Sequence, residues 1–277
     1  MIAFPNCKIN LGLQITGKRP DGFHDLETVF FPVPLKDALE IIPSTNDEES
    51  ILFSSSGLPI PGNPNDNICI QAIGLLKSKF PQITSLQVHL HKSIPMGAGL
   101  GGGSADAAFT LILLNKYFHL NLSPDQLSEL ALELGSDCPF FIKNKSCFAK
   151  GRGEILEEIK LNLSAYKILL INPGIHINTT WAFSQISPAV PIKSIKEIIS
   201  QPIESWKAEL VNVFENPIFQ KHVELKELKE KLYNAGAVYA SMSGSGSSIY
   251  GLFNKDEIPD ISHIPTHYFM KELNCQF

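Results

Sequence analysis

Pro95-Met96-Gly97-Ala98-Gly99-Leu100-Gly101-Gly102-Gly103-Ser104 is the stretch on which the fold turns. Five of the seven residues from Gly97 to Gly103 are glycine. Ordering a glycine costs more conformational entropy than ordering any other residue, so a purely structural turn seldom uses so many. Glycine also has no Cβ to obstruct a ligand, and backbone N–H groups in such a loop can converge on an anion. The flanks supply the rest. Leu86, Val88 and Leu90 alternate with Gln87, His89 and His91, which predicts a strand running straight into the loop. Ala105 to Asn115 is apolar and predicts a helix leaving it. Strand, glycine loop and helix in that order form a phosphate cradle, backed by the positive end of the helix dipole.

Two common phosphate-binding patterns provide a test. No G-x-x-x-x-G-K-[ST] occurs, which excludes a Walker A loop. Gly97, Gly99 and Gly102 do satisfy G-x-G-x-x-G. In a dinucleotide-binding fold an acid follows about 20 residues on, at the end of the next strand. Tyr117 to Ser123 contains no acid. The next segment opens on Ser123-Pro124-Asp125-Gln126, a capping box with proline at the first helical position, and predicts a helix ending at Gly135. An NAD-dependent oxidoreductase is the runner-up from another class.

Composition narrows the field. The chain has 277 residues, 44% hydrophobic and 18% charged, as expected of a packed enzyme and too apolar for disorder. The net charge is −5 with no long basic run, so nucleic acid is not an expected partner. Cys7, Cys69, Cys138, Cys147 and Cys275 are scattered and form no C-x-x-C pair, which reads as buried thiols in a reducing compartment. Met1 to Asn6 lacks the basic and apolar regions of a signal peptide. Ile168 to Ile192 has no Lys, Arg, Asp or Glu but is broken by polar residues, proline and glycine, so no membrane span is expected. The expected compartment is the cytoplasm.

Elsewhere, Lys8 to Ile15 reads as a strand with Ile9, Leu11 and Leu13 on one face and Lys8, Asn10 and Gly12 on the other. Ala38 to Ile42 is a further strand, and Asn67 to Phe80 a helix capped by Asn65 or Asp66. Lys167 to Ile171 is a buried strand. Val223 to Asn234 is an amphipathic helix stopped at Gly236. Short strands flank Ser243-Gly244-Ser245-Gly246-Ser247, and Pro188 to Gln220 carries no readable motif. His89 and His91 share a strand face, but no third ligand is spaced near them, so a solvated face is the better reading than a metal site.

Three segments together resemble the motifs of the GHMP kinases. Pro95 to Ala107 is similar to the family's central motif, Pro5-Asn6-Cys7-Lys8-Ile9-Asn10-Leu11 to its N-terminal one, and Met242 to Ser247 to its C-terminal glycine loop. They occur in the family's order across nearly the whole chain. Lys8-Ile9-Asn10-Leu11, Arg19-Pro20-Asp21-Gly22-Phe23-His24, Leu134 to Phe141, and Pro173-Gly174 with Thr179 and Phe183 narrow the resemblance. They point to members that phosphorylate a cytidine diphosphate-linked polyol in isoprenoid biosynthesis. Homoserine- or mevalonate-type kinases are the alternative. The resemblance implies an α/β (α+β) fold of two domains. Residues 1–155 would form the N-terminal ATP-binding domain, like ribosomal protein S5 domain 2, and residues 156–277 a ferredoxin-like C-terminal domain. The final segment is free to return to the first.

The resemblance also implies roles and the cofactors ATP and Mg²⁺, with the metal ligands left open. Asp137 would be the base that takes the substrate hydroxyl proton, mainly by orienting the nucleophile. As a residue alone, it reads equally well as a helix N-cap. Lys8 would keep Asp137 ionised and stabilise the incoming hydroxyl. Asn10 would hydrogen-bond substrate, Phe23 stack on the cytosine ring, and His24 bond its polar edge. Phe183 would close the other face, with Thr179 nearby. Phe23 stands where family members often carry tyrosine, so a phenolic contact is absent. Asn67 and Lys92 would lie near adenine, and Asp106 is a further candidate contact. Pro95, Met96, Gly97, Ala98, Gly99, Leu100, Gly101, Gly102, Gly103 and Ser104 would hold the phosphates. Ser104 opens the helix, as N-cap or as phosphate or Mg²⁺ contact. Ser243, Gly244 and Ser245 would sit close to the transferred phosphate. Monomer and homodimer are both left open.

Overall fold

The computed structural model describes residues 1–44 and 51–275. The chain begins with β1 (Ile2–Ala3), β2 (Asn6–Lys18), β3 (His24–Lys36), β4 (Ala38–Pro43) and β5 (Ile51–Gly57). A single 3₁₀ turn precedes α1 (Ile68–Lys79), β6 (Leu86–Lys92), α2 (Gly102–Tyr117), α3 (Pro124–Leu134) and α4 (Cys138–Lys143). Next come β7 (Cys147–Lys150), β8 (Ile155–Glu158), β9 (Tyr166–Asn172) and α5 (Thr179–Ser184). The short helices α6 (Ile195–Ile199), α7 (Ile203–Glu209) and α8 (Glu215–Lys221) lead into α9 (Val223–Asn234). The last elements are β10 (Tyr239–Met242), β11 (Ile249–Asn254) and β12 (Phe269–Asn274).

The chain divides into two compact units, but not by a cut near residue 155. Met1–Cys7, Leu35–Met96 and Gly101–Lys145 form the first. Lys8–Pro34, Gly97–Leu100 and the chain from Ser146 onward form the second. The reason is sheet pairing: β2 and β3 join β7 and β8 in one sheet, order β2-β3-β7-β8. The final segment stays in the second unit because β12 pairs along β9, from Phe269 opposite Asn172 to Asn274 opposite Lys167.

In the first unit the sheet order is β1-β4-β6-β5, with β5 and β6 parallel. Helix α1 connects that parallel pair and buries Cys69, Ala72, Ile73 and Leu76. These meet Leu86, Val88 and Leu90 of β6 and Ala107, Leu111 and Leu114 of α2 in one apolar core. The cap of α1 is Asn67, whose side chain accepts from Cys69 N, rather than Asn65 or Asp66. Helix α2 starts at Gly102, three residues before the apolar run, with Gly101 as its cap residue at φ +67°. Ser104 therefore lies inside the first turn and caps nothing. Helices α3 and α4 follow α2 where a dinucleotide site would need a strand, and the oxidoreductase reading fails there.

In the second unit a four-stranded antiparallel sheet has the order β10-β11-β9-β12. That is the ferredoxin-like strand order, with α9 on the first crossover and a turn-rich stretch over 255–268 in place of the second helix. Leu225, Leu228 and Leu232 of α9 pack with Ile171, Ala240, Met242, Ile249 and Phe253 of the sheet.

One buried cluster fixes where β6 hands over to the glycine loop. Lys92 Nζ donates to Asp37 at 2.5 Å and to Asp106 at 2.7 Å, and its side chain is 0% exposed. The other Asp37 oxygen accepts from Ser93 N at 2.6 Å and Ile94 N at 2.9 Å. Burial works to lower the Lys92 pKa, but the two carboxylates raise it beyond the ordinary lysine value. Burial pushes Asp106 up to about 7, with Lys92 opposing and Asp37 assisting. Replacing Lys92 by Met leaves two carboxylates facing each other in a dry site. Breaking a buried pair in this way costs about 3–5 kcal/mol, so urea unfolding of Lys92→Met is expected to show a loss of that size.

Asp106 adds a pH dependence. An unfolded carboxylate titrates near 3.9, so the folded chain holds this proton longer. Stability therefore falls as pH rises across the interval from about 4 to about 7. Asp106→Asn removes that loss. Its urea midpoint is expected to gain on the wild type between about pH 4 and about pH 7; a constant gap between the two proteins would sink the assignment.

Candidate functional site

The second unit brings both glycine loops and the β2 strand together. Gly99 has φ +76°, and a Cβ there would lie 2.0 Å from the Ser243 carbonyl oxygen. Gly244 has φ +57°, and its Cβ would lie 3.3 Å from the Gly99 Cα. Neither position has room for a side chain. The Ser243 hydroxyl donates to Gly99 O at 2.7 Å and accepts from Asn10 N at 3.2 Å. Ser248 N donates to Ala98 O at 3.2 Å, and Lys8 N to Leu100 O at 2.9 Å. Residues from three widely separated motifs thus meet in one hydrogen-bonded knot, and Gly97, exposed at the loop's start, faces outward from it.

Lys8 is 4% exposed, which excludes an edge-strand lysine reaching into water. Its Nζ donates to Asn10 Oδ1 at 2.6 Å and stands 4.8 Å from the centre of the Phe30 ring. Asn10 Nδ2 donates to the Thr28 hydroxyl at 3.0 Å, which donates to Gly12 O at 2.5 Å. The polar face predicted for Lys8, Asn10 and Gly12 is thereby found, with each polar atom pointed by the next.

His24 and Phe183 are stacked, with ring centroids 5.2 Å apart and 28° between planes. Phe183 is set by an edge-on contact with Phe214 at 4.8 Å. Thr179 and Ser245 share a hydroxyl hydrogen bond at 3.3 Å, tying α5 to the second glycine loop. Phe23 is 51% exposed, and its ring lies under the Arg152 guanidinium at 4.6 Å. His24 and Phe183 thus pair with each other, and Phe23 lies against Arg152.

In the first unit the placement is mixed. Asn67 is half-buried and spends its side-chain oxygen on capping α1. Lys92 is a wholly buried cation inside the ion cluster, so its ammonium is not a contact for adenine. Asp106 is 2% exposed beside it, with Oδ1 lacking a hydrogen-bond partner. Ser104 hydrogen-bonds Cys138, whose thiol burial pushes up to about 12. Asp137 stands at the N-cap position of α4, yet its side chain makes no capping hydrogen bond. The N-cap explanation of Asp137 loses its main support, and its side chain is half-buried.

Several residues were missed. Asn212 Nδ2 donates to Met242 O and Gly244 O, both at 2.8 Å, and so shapes the second glycine loop from beneath. A lone amide between Val211 and Val213 was its only signal. Tyr250 donates to Asn10 O at 2.7 Å from the strand after that loop. His89 and His91 hydrogen-bond Ser54 and Ser56 on an exposed sheet face, as a solvated reading requires. Among the described residues no group of three His, Cys, Asp or Glu side chains is placed to hold a metal. All five cysteines are buried. No described helix is long and apolar enough to cross a membrane.

Known proteins share these features. Residues 67–145 match the model of the GHMP kinases N terminal domain, and residues 193–267 that of the GHMP kinases C terminal. A 4-diphosphocytidyl-2-C-methyl-D-erythritol kinase of Bacteroides thetaiotaomicron is 53% identical over 256 residues, covering 92% of this chain and 93% of the relative. One of Cytophaga hutchinsonii is 49% identical over 255 residues, covering 92% and 93%. A crystal structure of 4-(cytidine 5'-diphospho)-2C-methyl-D-erythritol kinase superposes with a TM-score of 0.78 at 30% identity, over 91% of this chain and 90% of that one. The mevalonate kinase of Methanococcus jannaschii shares the fold at 14% identity, with a TM-score of 0.71 over 100% and 98% of the two chains. The chain belongs to the GHMP kinase family and is an ATP-dependent small-molecule kinase of two-domain α/β fold.

Proposed function

We propose that this kinase transfers the γ-phosphoryl group of ATP to the 2-hydroxyl of 4-diphosphocytidyl-2-C-methyl-D-erythritol, in the cytoplasm and on the non-mevalonate route to isoprenoids. The observation that carries this reading is the stacked His24–Phe183 pair. It is tied through Thr179 and Ser245 to the second glycine loop, in a chain 53% identical to an enzyme of that name. A flat aromatic pair suits a pyrimidine ring, and a lattice of backbone N–H groups suits phosphates.

The roles follow from chemistry. Pro95 to Ser104 and Ser243 to Ser245 hold the phosphates, and Asn67 borders the adenine. Phe23, His24, Phe183 and Thr179 hold the cytidine end. Asn10, oriented by Thr28 and Lys8, hydrogen-bonds the polyol. Asp137 accepts the proton of the attacking hydroxyl, and Lys8 stabilises the charge that develops on it. Phosphoryl transfer passes through a loose transition state, so positioning and fixed charge do most of the work. Mg²⁺ commonly keeps several waters and binds through substrate phosphates with one or two protein ligands. The Ser104 hydroxyl fits such a minor role, and the ion would supply neutralisation of phosphate charge.

Purified protein is expected to consume ATP in proportion to added 4-diphosphocytidyl-2-C-methyl-D-erythritol. Turnover of homoserine or mevalonate instead would overturn the substrate and keep the family. Asp137→Asn is expected to lower kcat by about a hundred- to ten-thousand-fold with KM for ATP little changed; a near-normal rate would end its role as base. Phe183→Ala removes a stacking face. Its KM for the cytidine substrate is expected to rise about tenfold, with KM for ATP held.

A further inference from the structure

His176 is a side chain that the roles above leave unused. Its neighbours in sequence are both fixed by the second glycine loop. The Ser247 hydroxyl donates to Ile175 O at 2.5 Å, and a Cβ on Gly246 would lie 2.8 Å from Ile177 Cδ1. Asn172 braces the same bend, donating to the Ser248 hydroxyl at 3.1 Å and accepting from Gly174 N at 2.9 Å. Between these anchors the His176 side chain is exposed. Its Nδ1 stands 3.7 Å from where a Cβ on Gly97 would be, at the start of the phosphate loop. Among the described residues His176 has no hydrogen bond, ion pair or ring contact.

Residues 95–100, 173–184 and 243–248 contain no Lys, Arg, Asp or Glu. His176 is their one titratable side chain. Two cations contact these segments from other elements: Lys8, whose backbone N donates to Leu100 O, and Lys221, whose Nζ stands 4.0 Å from the centre of the Trp181 ring. Backbone N–H groups carry only partial charge, whereas an imidazole can donate to phosphate with a full positive charge. A backbone anchored on both sides also means that little ordering is left to do when a ligand arrives.

We propose that His176 is a phosphate-binding residue of the ATP site, donating to the polyphosphate that lies on Gly97–Leu100. The inference rests on the kinase reading and assigns this chain a charged contact that its glycine loops do not provide. Its test is ATP binding by titration calorimetry together with steady-state kinetics on the cytidine substrate. His176→Ala is expected to weaken ATP binding about three- to tenfold, as for loss of one partly exposed charged contact. KM for ATP should rise in parallel, while kcat and KM for the cytidine substrate hold. His176→Lys, which keeps a cationic donor, should recover part of the affinity. Equal ATP affinity in wild type and His176→Ala overturns the inference and spares the kinase reading. So does a rise confined to KM for the cytidine substrate. Failure of the wild type to bind ATP would overturn both.

Discussion

The Ser243 hydroxyl is the point from which the second unit is organised. It donates to the carbonyl of one glycine loop and accepts the N–H of the Asn10 strand, while its own residue begins the other glycine loop. Ser243 is 0% exposed and Asn10 2%, so the Asn10 N–H could not find water if the hydroxyl were lost. A buried donor or acceptor left unsatisfied costs about 1–3 kcal/mol, more than the bond itself contributes. The bond also demands close approach. Gly99 and Gly244 must lack side chains for the two loops to touch, which makes the glycines of both motifs parts of one requirement. Lys8 and Asn10 are then aimed by this knot as well as by their own strand.

The two units handle charge in opposite ways. In the first, a lysine and two aspartates are removed from water and neutralise one another, holding the end of β6 and the first turn of α2 at fixed positions. The backbone N–H groups at Ser93 and Ile94 are drawn into that arrangement through Asp37. In the second, the loops themselves carry no charged side chain and their polarity is that of oriented peptide groups, while the residue before the second loop is held by Glu215, which accepts from Met242 N and pairs with Lys229. The arrangement explains why net charge told nothing about the ligand: a chain with net charge −5 can still offer a local anion cradle.

What was legible in the sequence was local. The strand into the glycine loop, the capping box at Ser123, the α9 helix and the alternation of Lys8 with Ile9 all follow from periodicity and turn chemistry over a few residues. What escaped depended on distant partners. Strand β3 reads poorly because residues on both of its faces are buried, so its hydrophobic residues do not alternate. Helices α6 to α8 are too short to show a helical period. Asp37 was passed over because its partners, Lys92 and the Ser93 and Ile94 amides, lie more than fifty residues away. Lys92 was read as ligand-facing because a lysine beside a phosphate loop suggests a contact. Burial between two carboxylates is not visible from its neighbours. Ser104 looked like a helix cap because serine commonly is one, whereas the glycines ahead of it already adopt the first helical turn. The proposed site residues Lys8, Asn10, His24, Thr179 and Phe183 were singled out only through resemblance, since nothing in local pattern separates His24 from a surface histidine.

The interleaved path of the chain has a consequence for its synthesis. The first unit is complete once residue 145 has been made, and its core draws on nothing beyond that point. The second unit holds Lys8–Pro34, whose β3 has no β7 to pair with until residues 147–150 are made, and whose Asn10 has no Ser243 until the end of β10 is made. At about 5–20 residues per second a nascent chain exposes these residues for many seconds. A ribosome-bound intermediate would therefore carry a folded first unit and a β2–β3 pair whose remaining partners are still unmade. Chaperone engagement during translation would fall on the beginning of this chain, not on its most recently made part.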